Sequence, residues 1–444
     1  MAPIYTYYIS PEAFGQFSTV KSFLPLFTMV SSVSIDLAYF KVYFDEGIDR
    51  IKLLSTALFF LVFSGIVFSF IFTLAALNIS FFKDLELLEY RYIYIFFTII
   101  TIPLINLANT HIKAIAEPKH LSKISIITSP VLFLTTLGLL EYSDLGVNSI
   151  VVGIITQQLL QVTLFLKLFK NFNLIKFDFS FAYLKLLSKI SIPMIPTIAT
   201  GWINTLSDRF LLTYFGLVSD TGIYSIAFVF SQGVYFIGDS ISKINAKISM
   251  QAISKSIEEY NKNNKAYFEN IITLILLLIF LSNTIGVEIL PYLLSDEYSD
   301  IGLVFSILTA STFIGLSYRP FTYYLLNKEK IKNITYAGTA SALCNTALNI
   351  VLIPKFGKVA AATTTIISNL VYFLIITVSS REVSKNLIFS KRFILSVIVL
   401  ILSISYSITD IIEIKTAIVI FGLILLYLLD INKGLKNIIT LIKR

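Results

Sequence analysis

LLSTALFFLVFSGIVFSFIFTLAALNIS, residues 53–80, runs for 28 residues without a charged side chain. As a helix it reaches about 42 Å at ~1.5 Å per residue, more than the ~30 Å hydrocarbon core of a bilayer. Its apolar residues do not alternate, so it reads as a membrane helix and not as a barrel strand. Working outward, the same pattern recurs near 14–40, 92–112, 124–140, 147–166, 187–207, 221–242, 267–290, 299–318, 333–353, 359–380, 393–409 and 411–429. The reading is an all-α polytopic membrane protein of about 13 transmembrane helices.

Composition agrees. Hydrophobic residues make up 56% of the 444 and charged residues 14%, against roughly 45–50% and about 25% in soluble domains. A single cysteine, Cys344, excludes a disulfide framework. Two histidines, His111 and His120, argue against a His-ligated metal centre, so no metal or other cofactor is expected. The net charge of +8 suggests nucleic acid only until the positive residues are located. They lie in short loops between apolar spans, and a nucleic-acid partner is excluded. Met1–Ser10 lacks a basic leader, so it is not read as a signal peptide.

Loops 41–52, 111–123, 167–189, 243–265, 319–332, 381–392 and the tail 430–444 hold 28 of the 35 Lys and Arg residues. The alternate loops hold 6, and Lys21 lies inside a span. This bias puts the C-terminus in the cytoplasm and Met1 outside.

The halves echo each other. Gly15-Gln16-Phe17-Ser18 and Gly222-Ile223-Tyr224-Ser225 both follow an acidic turn, 207 residues apart. Gly146 and Gly357 mark turns 211 residues apart. These offsets indicate a duplicated six-helix unit in parallel orientation, giving two pseudo-symmetric bundles plus two C-terminal helices. The boundaries are 1–170 for the first bundle, 171–186 for a cytoplasmic linker, 187–380 for the second bundle, and 381–444 for two further helices and a basic tail. The helix 187–207 precedes the second Gly turn, so its counterpart falls near residues −20 to 0. On this reading the first bundle lacks most of its first helix.

Pro11–Ser18 resembles the turn after the first helix of polysaccharide flippases. Ile192-Pro193-Met194-Ile195-Pro196 through Trp202, Asn204, Ser207, Asp208 and Arg209 resembles their seventh helix. Asn349–Pro354, Gly357 and Ala360–Thr363 resemble the turn between their eleventh and twelfth helices. Together these resemble the MOP superfamily, in its Wzx-type O-antigen and polysaccharide biosynthesis branch. The resemblance implies a transporter that flips undecaprenyl-pyrophosphate-linked oligosaccharide repeat units across the bacterial inner membrane. It also implies alternating access around a central cavity, contact with membrane lipids and with polymerase machinery, and possible coupling to a proton or sodium gradient.

Moving a sugar-phosphate headgroup through hydrocarbon needs a polar cavity, and ionisable residues within spans are its expected markers. Lys21 is a cavity cation for pyrophosphate or a side chain that snorkels to the interface. Asp36 binds a cation or pairs with Lys41. Asp208 and Arg209 form a gate salt bridge or an exposed helix end. Asp239 and Lys243 are spaced i, i+4 and read as a self-paired couple or a cavity relay. Arg319, at an inner boundary before Pro320, binds phosphate or merely obeys the positive-inside bias, and the second reading is favoured. Pro193 and Pro196 kink one helix and are the candidate hinge. Gln157, Gln158 and Gln161 either touch sugars or bond between helices.

The competing readings on the same fold are a MATE-like drug antiporter, which asks for deep acidic residues, and a lipid II flippase, which asks for cavity arginines. A membrane glycosyltransferase or polymerase needs convergent carboxylates and a large outer loop, and neither is visible. The chain is not read as an enzyme.

Overall fold

The computed structural model describes residues 2–172, 178–388 and 390–429; among these there are helices and turns but no strand. They divide into two compact units, one formed by Glu12–Trp202 and the other by Ala2–Pro11 with the chain from Ile203 onward.

Helix α1 (Ala2–Tyr8) belongs to the second unit. The first unit holds α2 (Pro11–Ser32), α3 (Ile35–Val42), α4 (Arg50–Asn78), α5 (Ser80–Lys83), α6 (Arg91–Ala114), α7 (Lys119–Tyr142), α8 (Asn148–Asn171) and α9 (Phe181–Ser191). Helix α10 (Ile195–Tyr214) carries the chain into the second unit. There follow α11 (Val218–Lys255), α12 (Ile257–Tyr267), α13 (Thr273–Leu281), α14 (Val287–Leu293) and α15 (Gly302–Ser317). The last are α16 (Arg319–Asn327), α17 (Ile331–Ser379), α18 (Arg381–Ile388), α19 (Lys391–Tyr406) and α20 (Ile412–Leu428).

Among the described residues nine helical runs are long and apolar enough to cross a membrane, or ten if α2 and α3 form one bent span. The protein is a multi-span helical membrane protein. Every apolar span of the sequence reading is helical here, but its partition into regular elements differs from thirteen unbroken spans. The span expected at 14–40 starts earlier, at Pro11, and bends by 53° between α2 and α3. Val33 and Ser34 adopt φ of 52° and 51° at the bend, a region that costs a β-branched residue about 1–3 kcal/mol. Beyond it Ile35, Ala38, Tyr39 and Val42 are fully buried against Leu53, Leu54 and Ala57 of α4 and Leu107 and Ile112 of α6. That burial holds the strained turn in place. The span expected at 267–290 is interrupted by π-helical turns at Phe268–Ile272 and Ser282–Gly286. At 16 and 17 residues α19 and α20 are shorter than the ~20 residues that cross a bilayer.

Asp49 starts α4 by accepting from the backbone N–H groups of Ile51 and Lys52, both at 3.0 Å, an N-cap that satisfies two otherwise unpaired donors. The second unit packs Ile275, Leu276 and Ile279 of α13, Phe313 and Leu316 of α15, and Ile376 of α17 into one core. Residues 2–11 join this unit through close backbone approach. Tyr298 donates to the Ile9 carbonyl at 3.0 Å, and a Cβ at Gly222 would lie 1.9 Å from the Pro11 carbonyl oxygen.

The 49 residues of α17 would reach about 73 Å as a straight helix. They do not, because Gly357 breaks the run at φ 54°, ψ −135°. Gly146, at the matching turn of the first unit, also has positive φ, at 50°. Asp220 clamps the break. Its carboxylate accepts from the Lys358 backbone N–H at 3.1 Å and pairs with the Lys358 ammonium at 2.9 Å, and Asp300 pairs with the same ammonium at 2.9 Å. A Cβ on residue 357 would lie 2.1 Å from Asp220 Oδ2. Gly357→Ala is therefore expected to cost about 1–3 kcal/mol, read as a lower melting temperature of the solubilised protein. The loss should shrink in an Asp220→Ala background, and a loss of equal size there would show that the clash is not its source.

Candidate functional site

Asp208 lies in the last two turns of α10 and is 1% exposed. Tyr224 Oη donates to its carboxyl group at 2.7 Å, Asn349 Nδ2 at 2.6 Å and Thr365 Oγ1 at 3.1 Å. Asn349 Nδ2 also donates to Asn345 Oδ1 at 3.0 Å, and Thr364 Oγ1 donates to Asn349 Oδ1. Asn345 and Asn349 are one helical turn apart on the first arm of α17, and both are fully buried. Thr364 and Thr365 lie on the second arm, past Gly357. The break at Gly357 thus lets two arms of one helical run face the same carboxyl group. Thr364 and Thr365 both bond back to the Ala361 carbonyl at 2.9 Å. The result is a polar set inside the second unit: one carboxyl group, two amides, three hydroxyls and a backbone carbonyl.

Arg209 is also buried, at 6% exposed. It shares Tyr224 with Asp208 but takes its hydrogen bond elsewhere. Its guanidinium donates to the Thr205 carbonyl at 3.0 Å and lies over Phe228 at 4.4 Å and Tyr224 at 5.4 Å. Desolvated cation–π contacts of this kind contribute on the order of 2 kcal/mol. The sequence reading allowed an exposed helix end here; the structure replaces it with two buried groups that meet the same tyrosine, Tyr224, by its hydroxyl and by its ring.

A second cluster sits where α11 meets α16. Asp239 pairs with Lys243 at 2.7 Å and with Arg319 at 2.6 Å. Arg319 also donates to Tyr235 Oη at 2.8 Å. The i, i+4 couple was legible, but Arg319 was read as a boundary charge. Only the packing of α16 on α11 brings it to Asp239.

The family profile described as "Polysaccharide biosynthesis protein" matches residues 7–302. The chain belongs to the polysaccharide biosynthesis protein family. This family member has the fold of MOP superfamily transporters. A structure titled "Lipid II flippase MurJ, inward closed conformation" is 17% identical with a TM-score of 0.66, covering 98% of this chain and 99% of its own. An inward-facing multidrug resistance MATE family transporter of the MOP superfamily is 12% identical with a TM-score of 0.67, covering 88% and 94%. A point mutant of the Vibrio cholerae MATE transporter VcmN is 12% identical with a TM-score of 0.53, covering 85% and 96%. At these identities the likeness establishes the fold alone. No curated protein sequence matches the chain.

The other expected residues of this family member are dispersed. Lys21 projects from α2 as an exposed side chain, with Nζ 5.6 Å from the Phe17 ring centroid. Asp36 lies in the first turn of α3, where helix geometry favours negative charge, and it forms no ion pair with Lys41 among the described residues. Pro193 lies in a 3₁₀ turn, Ile192–Met194, and Pro196 opens α10, so the helix read at 187–207 is two helices joined at the prolines. Gln158 accepts from Thr101 at 2.8 Å, and Gln161 donates to Thr128 at 3.2 Å. These two are interhelical contacts. The set around Asp208 went unread because Tyr224 and Asn349 were seen only within turn motifs and Thr364 and Thr365 were not singled out at all. The spacing of Asn345 and Asn349 within an apolar run was the available signal.

Among the described residues no three His, Cys, Asp or Glu side chains converge on a metal position.

Burial grades the partners of Asp239. The Lys243 side chain is 73% exposed and Arg319's is 18%. Exposed pairs contribute about 0–1 kcal/mol, whereas breaking a buried one costs about 3–5 kcal/mol. Arg319→Ala should lower thermal stability well beyond Lys243→Ala. Equal losses in thermal unfolding would contradict this ranking.

Proposed function

We propose that this protein flips undecaprenyl-pyrophosphate-linked oligosaccharide repeat units from the cytoplasmic to the outer leaflet of a bacterial inner membrane. The observation that carries the reading is the family match over residues 7–302 in a chain with the MOP fold. The product supplies lipopolysaccharide O-antigen, capsule or exopolysaccharide assembly, with the polysaccharide polymerase as the downstream partner. Headgroup transfer through bare hydrocarbon is prohibitive, since each unpaired polar group costs several kcal/mol. The protein supplies a polar route by alternating access, and the lipid tail stays in the bilayer.

The polar set around Asp208 supports a coupling role. A buried carboxyl group that accepts from two hydroxyls and one amide N–H suits a proton, and it suits a hard monovalent cation such as sodium once those side chains turn their oxygens inward. On this reading Asp208 carries the coupling ion, Asn345, Asn349, Thr364 and Thr365 shape its shell, and Arg209 stays bound to its rings. Lys21 and Asp36 are the first unit's candidate contacts to cargo, and Asp239 with Lys243 and Arg319 forms a second charged contact region. Pro193 and Pro196 are the proposed hinge, since the chain leaves the first unit six residues after Pro196. A lipid II flippase is the second reading, which the two helices α19 and α20 beyond the repeat leave open.

Deleting the gene should abolish surface polysaccharide and accumulate the complete lipid-linked unit inside. Re-expression of the wild type should restore the polymer, and Asp208→Asn should restore it by less than about a tenth while reaching the membrane at normal abundance. Unchanged polymer with no accumulated intermediate counts against this cargo. Full rescue by Asp208→Asn counts against the coupling role alone. A C-terminal fusion should report a cytoplasmic terminus; a reporter active only outside would reverse the orientation.

A further inference from the structure

We propose that a basic cavity where α12, α18 and α19 meet binds the phosphate headgroup of an anionic phospholipid. The cavity lies within the second unit, away from the Asp208 oxygens, and has a volume of about 550 Å³. Lys262 and Lys265 of α12 and Arg392 of α19 line it, with Glu258 as the one carboxylate among the lining residues. Three cations against one anion leave a net charge of +2 on its walls.

Of the other eight lining residues five are apolar, and Asn261, Ser390 and Ser396 are polar. Phe268 and Phe393 meet edge to face at 6.1 Å, and Phe393 stacks on Phe373 at 5.8 Å. Ile272 and Val383, 1% and 3% exposed, complete the floor. A free phosphate would use the cations and leave this floor without a partner. An amphiphile uses both: phosphate oxygens on the guanidinium and ammonium groups, acyl carbons on the rings. The stretches 243–265 and 381–392 that contribute the cations hold 5 and 4 basic residues. Both belong to the set of loops that the charge bias assigns to the cytoplasm, the side on which basic pockets between membrane helices take anionic headgroups. A zwitterionic lipid brings its own ammonium group against three cations and is disfavoured. The proposal stands whatever the cargo is.

The test is native mass spectrometry of the full-length protein released from nanodiscs of phosphatidylglycerol and phosphatidylethanolamine in equal parts. Retained lipid should favour phosphatidylglycerol on the order of tenfold. Lys262→Gln with Arg392→Gln should bring the ratio near unity. The charge-keeping pair Lys262→Arg with Arg392→Lys should preserve it. Lys328→Gln with Lys330→Gln, an equal loss of charge elsewhere, should also preserve it. If the double glutamine variant fails to fold, Lys262→Gln alone carries the comparison, because that side chain is exposed. No preference in the wild type, or a preference that survives loss of the cations, overturns the proposal. Displacement of phosphatidylglycerol by millimolar inorganic phosphate would make this a free-anion site. Displacement one for one by a polyprenyl pyrophosphate would make it a cargo site. Either result overturns the assignment to phospholipid.

Discussion

A carboxyl group drawn into a bundle of apolar helices must find its donors inside the protein, because hydrocarbon offers none. Asp208 meets this requirement with Tyr224 from α11 and with Asn349 and Thr365 from the two arms of α17. Much of the second unit follows from it. The arms of α17 converge on one point only because the run breaks at Gly357, and the break persists because Asp220 and Asp300 hold Lys358 beside it. A residue with a side chain at position 357 meets the Asp220 carboxylate before it meets anything else.

The same requirement sorts the other polar groups by depth. Arg209 is covered by aromatic faces and a carbonyl. Arg319 is partly covered and shares Asp239 and Tyr235. Lys243 is mostly exposed and needs its partner least. Gln158 and Gln161 spend their amides on threonines of neighbouring helices. In the first unit, His111 is buried beside Tyr39, whose hydroxyl lies 2.6 Å from Nδ1.

Much of the fold was legible. Long uncharged runs placed the helices, and turn glycines marked Gly146 and Gly357 as equivalent, a pairing consistent with their shared positive φ. The bend at Val33–Ser34 was not legible, since nothing in Val-Ser demands a left-handed pair. It exists because the residues after it bury completely against α4 and α6. The site was half legible. Asp208 and Arg209 were singled out, but their environment was not, and Arg319 was set aside although it binds Asp239 more deeply than Lys243 does.

The sequence by itself determined the class of the protein: helices across a membrane, charged residues in the loops, and the family. Those properties add up residue by residue along the chain, so hydropathy and motif order record them. The tertiary structure decided which polar residues meet. Pairing depends on how each helix is rotated and where its neighbours cross it, and helices that are apolar nearly all round carry little record of either. Asp208 and Asn349 are 141 residues apart in the chain and 2.6 Å apart in the fold. No local pattern links them; the backbone reversal at Gly357 and the packing of α10 against α17 do.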